Sequence, residues 1–260
     1  MDEAASTVTL QQETRESFHS YIHDAEMEMD HTLTGGGPFL WSDAIATRTE
    51  AVRRGEVLAQ FWSGKGPVNV PSGLIHDWIG AALIPGTNIA DTIALVQDYN
   101  NHQNIYQPEV IASKLISRHG DDFQIYLRLL KKKILTVVLD TDHDVHYHTL
   151  DEKRWLCRSY TTRIAEVEDA GRTTERVMPP DTGLGFLWRL YSYWRFEESG
   201  TGVSIECRAI SLTRDLPFGL GWIIEPIVQT LPKESLMRTL SATRQALQGS
   251  ARVHAGNVRR

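Results

Sequence analysis

From about residue 109 to residue 213 the sequence alternates apolar and polar positions in short runs divided by turn residues. The strand-like runs are 109–118, 122–130, 134–149, 154–166, 186–196 and 202–213. Consecutive strands joined by short turns must pair antiparallel, because a parallel neighbour needs a crossover of a dozen or more residues. A sheet with one apolar face then needs a cover. The only element large enough is GLGWIIEPIVQTLPKESLMRTLSATRQAL (219–247), which reads as a long helix with Pro226 and Pro232 breaking its first part and Pro232 suited to a first helical turn. Two strands, EVLAQFWS (56–63) and GLIHDWIGAALI (73–84), and a helix over 88–106 precede the run. In that helix Asn88 is the expected N-cap ahead of Asp91, and Ile89, Ile93, Leu95 and Val96 share a side.

The remaining chain divides around this unit. Residues 7–30 lack Gly and Pro, and Phe18, Ile22 and Ala25 form a thin stripe at i, i+4, i+7. That pattern fits an appended surface helix or an interaction helix. Gly35-Gly36-Gly37-Pro38 breaks the chain; Phe39-Leu40-Trp41 follows where a phosphate loop would need Lys-Ser or Lys-Thr, so a linker is expected. Ser63-Gly64-Lys65-Gly66-Pro67 reads as a turn between strands. The expected organisation is an N-terminal helical extension (1–34), a linker (35–54), one ligand-binding domain (55–248) and a polar tail (249–260).

The formal net charge of −6 argues against a dedicated nucleic-acid binder. Lys131-Lys132-Lys133 reads as a solvated hairpin end. No stretch approaches the ~18 apolar residues of a membrane span, so no stable insertion is expected, with transient membrane contact left open. MDEAASTVTLQQ lacks the apolar core of a secretory signal, which makes the cytoplasm the default compartment and an exported protein with its leader removed the alternative. The two cysteines, Cys157 and Cys207, read as buried thiols. If their strands flank 186–196, their Cα atoms lie ~9–10 Å apart, beyond disulfide reach.

Alternation assigns the strand faces. In 186–196, Phe186, Trp188, Leu190, Ser192, Trp194 and Phe196 are expected inward; in 203–211, Val203, Ile205, Cys207, Ala209 and Ser211 are. The segment LDTDHDVHYHT (139–149) gathers three histidines and resembles a metal cluster. Alternation divides it, sending Asp142, Asp144, His146 and His148 to the outer face and His143 and Tyr147 inward. An open outer face offers no closed coordination shell, so no metal is expected there. A β-bulge between Leu139 and Val145 would reverse these faces. Strand 154–166 is ambiguous: Trp155, Cys157, Ser159, Thr161 and Arg163 share one face, Leu156, Arg158, Tyr160, Thr162 and Ile164 the other. If the first faces inward, Arg163 becomes a buried cation that needs a carboxylate or an acidic headgroup; a surface arginine near the strand end is the alternative and the better reading.

The element order, with WIGAALIPGTNIADTIALVQDYNNHQNIYQPEV (78–110), YLRLLKKKILTVVL (126–139), GFLWRLYSYWRFEE (185–198) and ECRAISLTRDLPFGLGWIIEP (206–226), resembles the START-like, Bet v 1-like helix-grip superfamily, which includes lipid-transfer domains and the polyketide cyclase/dehydrase group. The resemblance implies an α+β fold: a curved antiparallel sheet wrapped around the long C-terminal helix, here with an extra N-terminal helix. It also implies a cavity between sheet and helix that holds an apolar or amphipathic molecule such as a lipid, isoprenoid or polyketide. The expected binding residues are His143, Tyr147, Ser159, Arg163, Trp188, Ser192, Trp194 and Cys207. No cofactor is expected. A cyclase or dehydratase acting in the same cavity is the alternative, with His143 and Tyr147, or Arg163, as its acid–base groups. The segment 167–185 is long for a hairpin loop and would gate the mouth.

Overall fold

Each strand-like run of 109–213 forms a strand, with limits within three residues of those expected. The computed structural model describes residues 7–132, 136–215 and 221–257, with side chains of the last helix described over 231–249. In chain order the elements are β1 (Val8–Thr9), α1 (Gln12–Thr34), a 3-10 turn (Ser42–Ala44), α2 (Ala46–Arg53), β2 (Leu58–Phe61), β3 (Val68–Val70), β4 (Gly73–Pro85), α3 (Ile89–Val96) and α4 (His102–Ile105). There follow β5 (Val110–His119), β6 (Asp122–Lys132), β7 (Thr136–Thr149), β8 (Arg154–Glu168), β9 (Arg176–Val177), β10 (Thr182–Gly183), β11 (Arg189–Ser199), β12 (Gly202–Arg214) and α5 (Gly221–Asn257).

The large sheet has the order β2-β4-β12-β11-β8-β7-β6-β5, with β3 also on β4 and β9 on β8; β1 and β10 form a separate ribbon. Its pairings are antiparallel throughout. The meander from β5 to β12 returns its last strand against β4, so α3 and α4 carry the chain from one side of the sheet to the far edge. The expected helix over 88–106 is two helices. Asn88 caps the first, its Oδ1 accepting from the Asp91 amide at 2.8 Å. The helix stops after Val96, whose carbonyl bonds the buried His102 ring at 3.1 Å, a side-chain partner for a group that a helix end leaves free.

One face of the sheet, called inner here, packs on α5. Leu236, Leu240 and Leu247 join a cluster with Trp78, Ala82, Ile84, Tyr147, Cys157, Phe196, Ile205 and Cys207. Gly80 sits where the helix presses closest: a Cβ there would lie 2.8 Å from Leu240 Cδ1 and 2.9 Å from the Leu58 carbonyl oxygen. Pro232 stands inside α5 rather than at its first turn, and Pro226 lies within the same helical span. A proline in a helix interior removes one backbone hydrogen bond; docking of the three leucines holds the helix against that loss. The helix also runs past residue 248, where a polar tail was expected, to Asn257.

The outer face is covered too. Phe18, Ile22, Ala25 and Met29 of α1 pack on Ile75, Tyr193, Ile210 and Leu212. The sequence stripe is therefore a docking face, and full burial of Phe18 alone contributes about 1.5–3 kcal/mol. The segment 35–54 carries the 3-10 turn and α2 and is fastened to the same face. Glu206 accepts the Trp41 and Ser42 amides, both at 2.7 Å, and Arg195 donates to the Phe39 carbonyl at 2.6 Å. Lys131, expected at a solvated hairpin end, instead pairs with Glu109 and donates to Ser235 of α5 at 2.5 Å. Burial alone would raise the Glu109 carboxyl, but Lys131, Ser235 and Arg238 outweigh it and hold it below its ordinary value. Lys133 lies outside the described residues.

Candidate ligand site

Strand register places the inner-face residues in rows across β7, β8, β11, β12 and β4. One row runs Tyr147, Cys157, Trp194, Cys207, Gly80; the next runs Val145, Ser159, Ser192, Ala209, Trp78. A third runs His143, Thr161, Leu190, Ser211, His76; there the Leu190 amide donates to Thr161 Oγ1 at 3.0 Å. Cys157 and Cys207 flank Trp194 from opposite sides, as expected, and both are free and buried. Burial pushes the Cys157 thiol up to about 12 and the Cys207 thiol well above its ordinary value.

The middle of this face is only partly buried. Ser159, Ser192, Trp194 and Ala209 remain partly accessible, although they lie on central strands of the sheet. Toward the β11–β12 hairpin, Phe196, Val203 and Ile205 are fully buried. Trp194 stacks on Phe196 with ring centroids 5.9 Å apart and planes 7° from parallel. Apolar aromatic walls with scattered hydroxyls line the accessible stretch.

His143 and Tyr147 both face inward, as alternation requires. Tyr147 shares a hydroxyl–hydroxyl bond with Tyr99 at 2.9 Å and packs edge-on to Phe123. The hydrogen bonds around His143 set its tautomer. Thr141 commits its hydroxyl hydrogen to the Leu127 carbonyl at 3.0 Å, so its oxygen accepts from His143 Nε2–H at 2.9 Å. Nδ1 is then an acceptor, which the Ser159 hydroxyl meets at 3.4 Å. Burial pushes His143 down to about 4, so the ring is neutral at pH 7. The rows as a whole carry no charge at that pH.

Two expected binding residues are elsewhere. Arg163 points outward, pairing with Asp142 at 3.4 Å. The cause is a β-bulge: Asp142 pairs with Arg163 but His143 with Thr161, so Thr162 is the extra residue on β8. Up to Thr161 the first face of that strand is inward; beyond the bulge the faces exchange, and Ile164 turns into the core. β7 itself keeps its alternation, so the expected division of LDTDHDVHYHT holds. Trp188 is the second correction. The β11 alternation begins at Arg189, and Trp188, one residue earlier, packs in the outer cluster with Phe18, Ile75 and Leu212.

The outward residues of 142–148 are engaged separately. His146 bonds Asp122 at 2.7 Å and Asp144 accepts from Gln124 at 3.3 Å. No cluster of three metal-ligating side chains occurs among the described residues. The long loop after β8 is tied down by β9 on β8, by β10 on β1, and by Glu166, which accepts the Leu184 and Gly185 amides at 2.7 and 2.9 Å.

Sequence reading missed His76 and Trp78. Both lie on β4, a run whose faces the sequence left undivided, although Asp77 between them already marked an alternation. His76 is fully buried; its Nε2 bonds Thr213 Oγ1 at 3.1 Å and its Nδ1 has no partner. Trp78 stacks near Phe61, centroids 3.8 Å apart, and its indole N–H also has no partner.

No family model matches the chain, and no curated protein matches it. Among solved structures it is similar to a Thermus thermophilus protein, TTHA0849, at 13% identity over 66% of this chain and 97% of that one, with a TM-score of 0.48. A STAR-related lipid transfer protein from Xanthomonas axonopodis is similar at 16% identity over 71% and 99%, TM-score 0.47. An aromatase/cyclase from a Streptomyces species follows at 10% over 68% and 94%, TM-score 0.43. The fold is a helix-grip. That statement stands on the chain's own geometry, in which an antiparallel meander returns to its first long strand and holds a long C-terminal helix on one face. Among the described residues no helix is long and apolar enough to cross a membrane.

Proposed function

We propose that this chain binds a hydrophobic or amphipathic small molecule between the inner sheet face and α5. The observation that carries this reading is the accessible centre: Ser159, Ser192, Trp194 and Ala209 keep surface on the inner face of the central strands, where a filled core would bury them. Apolar walls bind the body of such a ligand, and a few hydroxyl and ring nitrogens orient it. Six of the expected residues, His143, Tyr147, Ser159, Ser192, Trp194 and Cys207, support the site; Arg163 and Trp188 do not belong to it. A cyclase-type activity finds less support, since His143 is bonded at both nitrogens and is a weak base at about 4.

Native mass spectrometry of the freshly purified chain tests the proposal, together with melting temperatures across a panel of lipids, isoprenoids and aromatic polyketides. A retained apolar molecule, or a melting shift of several degrees with one class, is expected. No retained molecule and no shift across the panel would overturn it.

A further inference from the structure

The two buried histidines of the inner face are built alike. At His143 a threonine takes the Nε2 hydrogen, and the Ser159 hydroxyl occupies Nδ1. At the other end of the same row, Thr213 commits its hydroxyl hydrogen to the Arg214 carbonyl at 3.2 Å, so its oxygen accepts from His76 Nε2–H at 3.1 Å. His76 Nδ1 therefore carries a bare lone pair, and no serine answers it: the residue opposite on β12, Ser211, makes no bond to it. Two residues along the strand on the same face, with a Cα about 7 Å from that of His76, Trp78 has an indole hydrogen with no acceptor. Buried polar groups in native proteins are nearly always paired, so two orphans side by side are a signal. Trp78 lies directly across from Ala209, at the edge of the partly accessible stretch.

Resting on the binding function proposed above, we infer that His76 and Trp78 are the polar anchor of the ligand. His76 Nδ1 accepts a hydrogen bond from a ligand hydroxyl, and Trp78 Nε1–H donates to a second ligand oxygen. The ligand is then a neutral molecule with an apolar body, a hydroxyl and a neighbouring carbonyl or ether oxygen. A carboxylate is disfavoured at His76, because its lone pairs would face the bare nitrogen of a neutral ring. The Lys233 ammonium of α5 stands 6.0 Å from the centre of the Trp78 ring, and the oleate probe tests whether it reverses that preference. His76 is fully buried, so the cover over it must shift for a ligand to reach Nδ1.

The test uses the full chain at pH 7 with three probes of one acyl chain: 1-monoolein supplies donor and acceptor, methyl oleate an acceptor only, and oleate an anion. Titration calorimetry is expected to show monoolein binding about tenfold tighter than either other probe, the worth of one good neutral hydrogen bond. His76→Leu should lower monoolein affinity about tenfold and leave methyl oleate unchanged. Trp78→Phe should weaken both esters alike. His76→Asn keeps an acceptor near the Nδ1 position and should keep the preference, which covers the case in which the leucine variant fails to fold. The 15N shift of His76 Nδ1 should move with monoolein and not with methyl oleate. Equal binding of all three probes, or a His76→Leu variant that discriminates as the parent does, would overturn the anchor and leave the cavity standing. Binding of none of them would overturn the anchor, while the wider panel of lipids, isoprenoids and polyketides decides the binding function.

Discussion

Removing one carboxylate from the outer face should cost more than removing any surface ion pair. Arg208 of β12 and Asp77 of β4 are a buried pair, their side chains only 4% and 5% exposed. Arg208 Nε lies 3.0 Å from Asp77 Oδ1 and its Nη2 2.7 Å from Oδ2, a two-pronged contact. Tyr21 of α1 donates to the same carboxylate at 2.8 Å. Glu28 of α1 reaches Arg208 at 3.1 Å, and the guanidinium lies 4.0 Å from the centre of the Trp62 ring. Asp77→Asn keeps the volume and strands the cation, a change that costs about 3–5 kcal/mol for a fully buried pair. Glu28 and Trp62 still attend the guanidinium, which places the expected loss near the lower limit, about 3 kcal/mol. For a chain this long that corresponds to a melting shift of roughly 6–12 °C. Glu28→Gln, acting on a half-exposed partner, should cost under about 1 kcal/mol. The double change Asp77→Leu, Arg208→Met removes both charges and should cost much less than the sum of its parts. Urea unfolding followed by far-UV circular dichroism measures each value, and amide exchange should show α1 losing protection in Asp77→Asn. An Asp77→Asn variant within 1 kcal/mol of the parent, or an additive double variant, would refute the reasoning.

Phe18→Ala should destabilise by about 3–5 kcal/mol by the same unfolding assay, because the ring is fully buried between α1 and the sheet; a loss under 1 kcal/mol would mean that α1 is dispensable. Ser192→Phe should be tolerated with little change in melting temperature while abolishing ligand binding, since it fills accessible space; a loss of about 1–3 kcal/mol would instead mark a core already full. Burial holds His76, His102 and His143 near about 4, below the ordinary 6.5. Between those values the unfolded chain binds more protons than the folded one, so stability should be full above pH 6.5 and decline as pH falls toward 4. Each ring contributes at most about 3 kcal/mol; urea midpoints that stay flat from pH 7 to pH 4.5 would contradict it. Cys157 and Cys207 should resist a thiol reagent at pH 7 in the native chain and react in denaturant, with two thiols counted; native labelling at the denatured rate would refute their burial.

The strands, their antiparallel order and the faces of β7, β11 and β12 were legible in the sequence because period-two alternation is a direct consequence of the pleat. The cysteine geometry follows once their strands flank 186–196, an order the sheet has. What alternation could not supply was a change of phase. Thr162 inserts one residue into β8, and nothing in RSYTTRI distinguishes a strand with that insertion from one without it. Alternation therefore leaves Arg163 between a buried cation in the site and a surface arginine near the strand end, and the bulge makes it the latter, paired with Asp142 outside. Trp188 failed for a related reason, since its position lies one residue ahead of the paired strand.

The outer face was misjudged for a different reason. Glu206, Arg208 and Asp77 look like solvent-facing residues on any strand pattern, and they do point away from the ligand side. They are buried because α1 and the segment 39–42 lie on top of them. A thin stripe of Phe18, Ile22 and Ala25 identifies a docking face but not its partner. The charges opposite were the missing signal: Tyr21, Glu26 and Glu28 on α1 meet Asp77, Tyr160, Tyr193 and Arg208 on the sheet. The same comparison of faces separates structural from functional polarity in this chain. Outer polar groups such as these are bonded to one another, whereas the inner face leaves His76 Nδ1 and Trp78 Nε1 unanswered. The sheet thus satisfies its buried charges on one side and leaves two neutral ring nitrogens open on the other, and it is the second side on which the proposed ligand anchor rests.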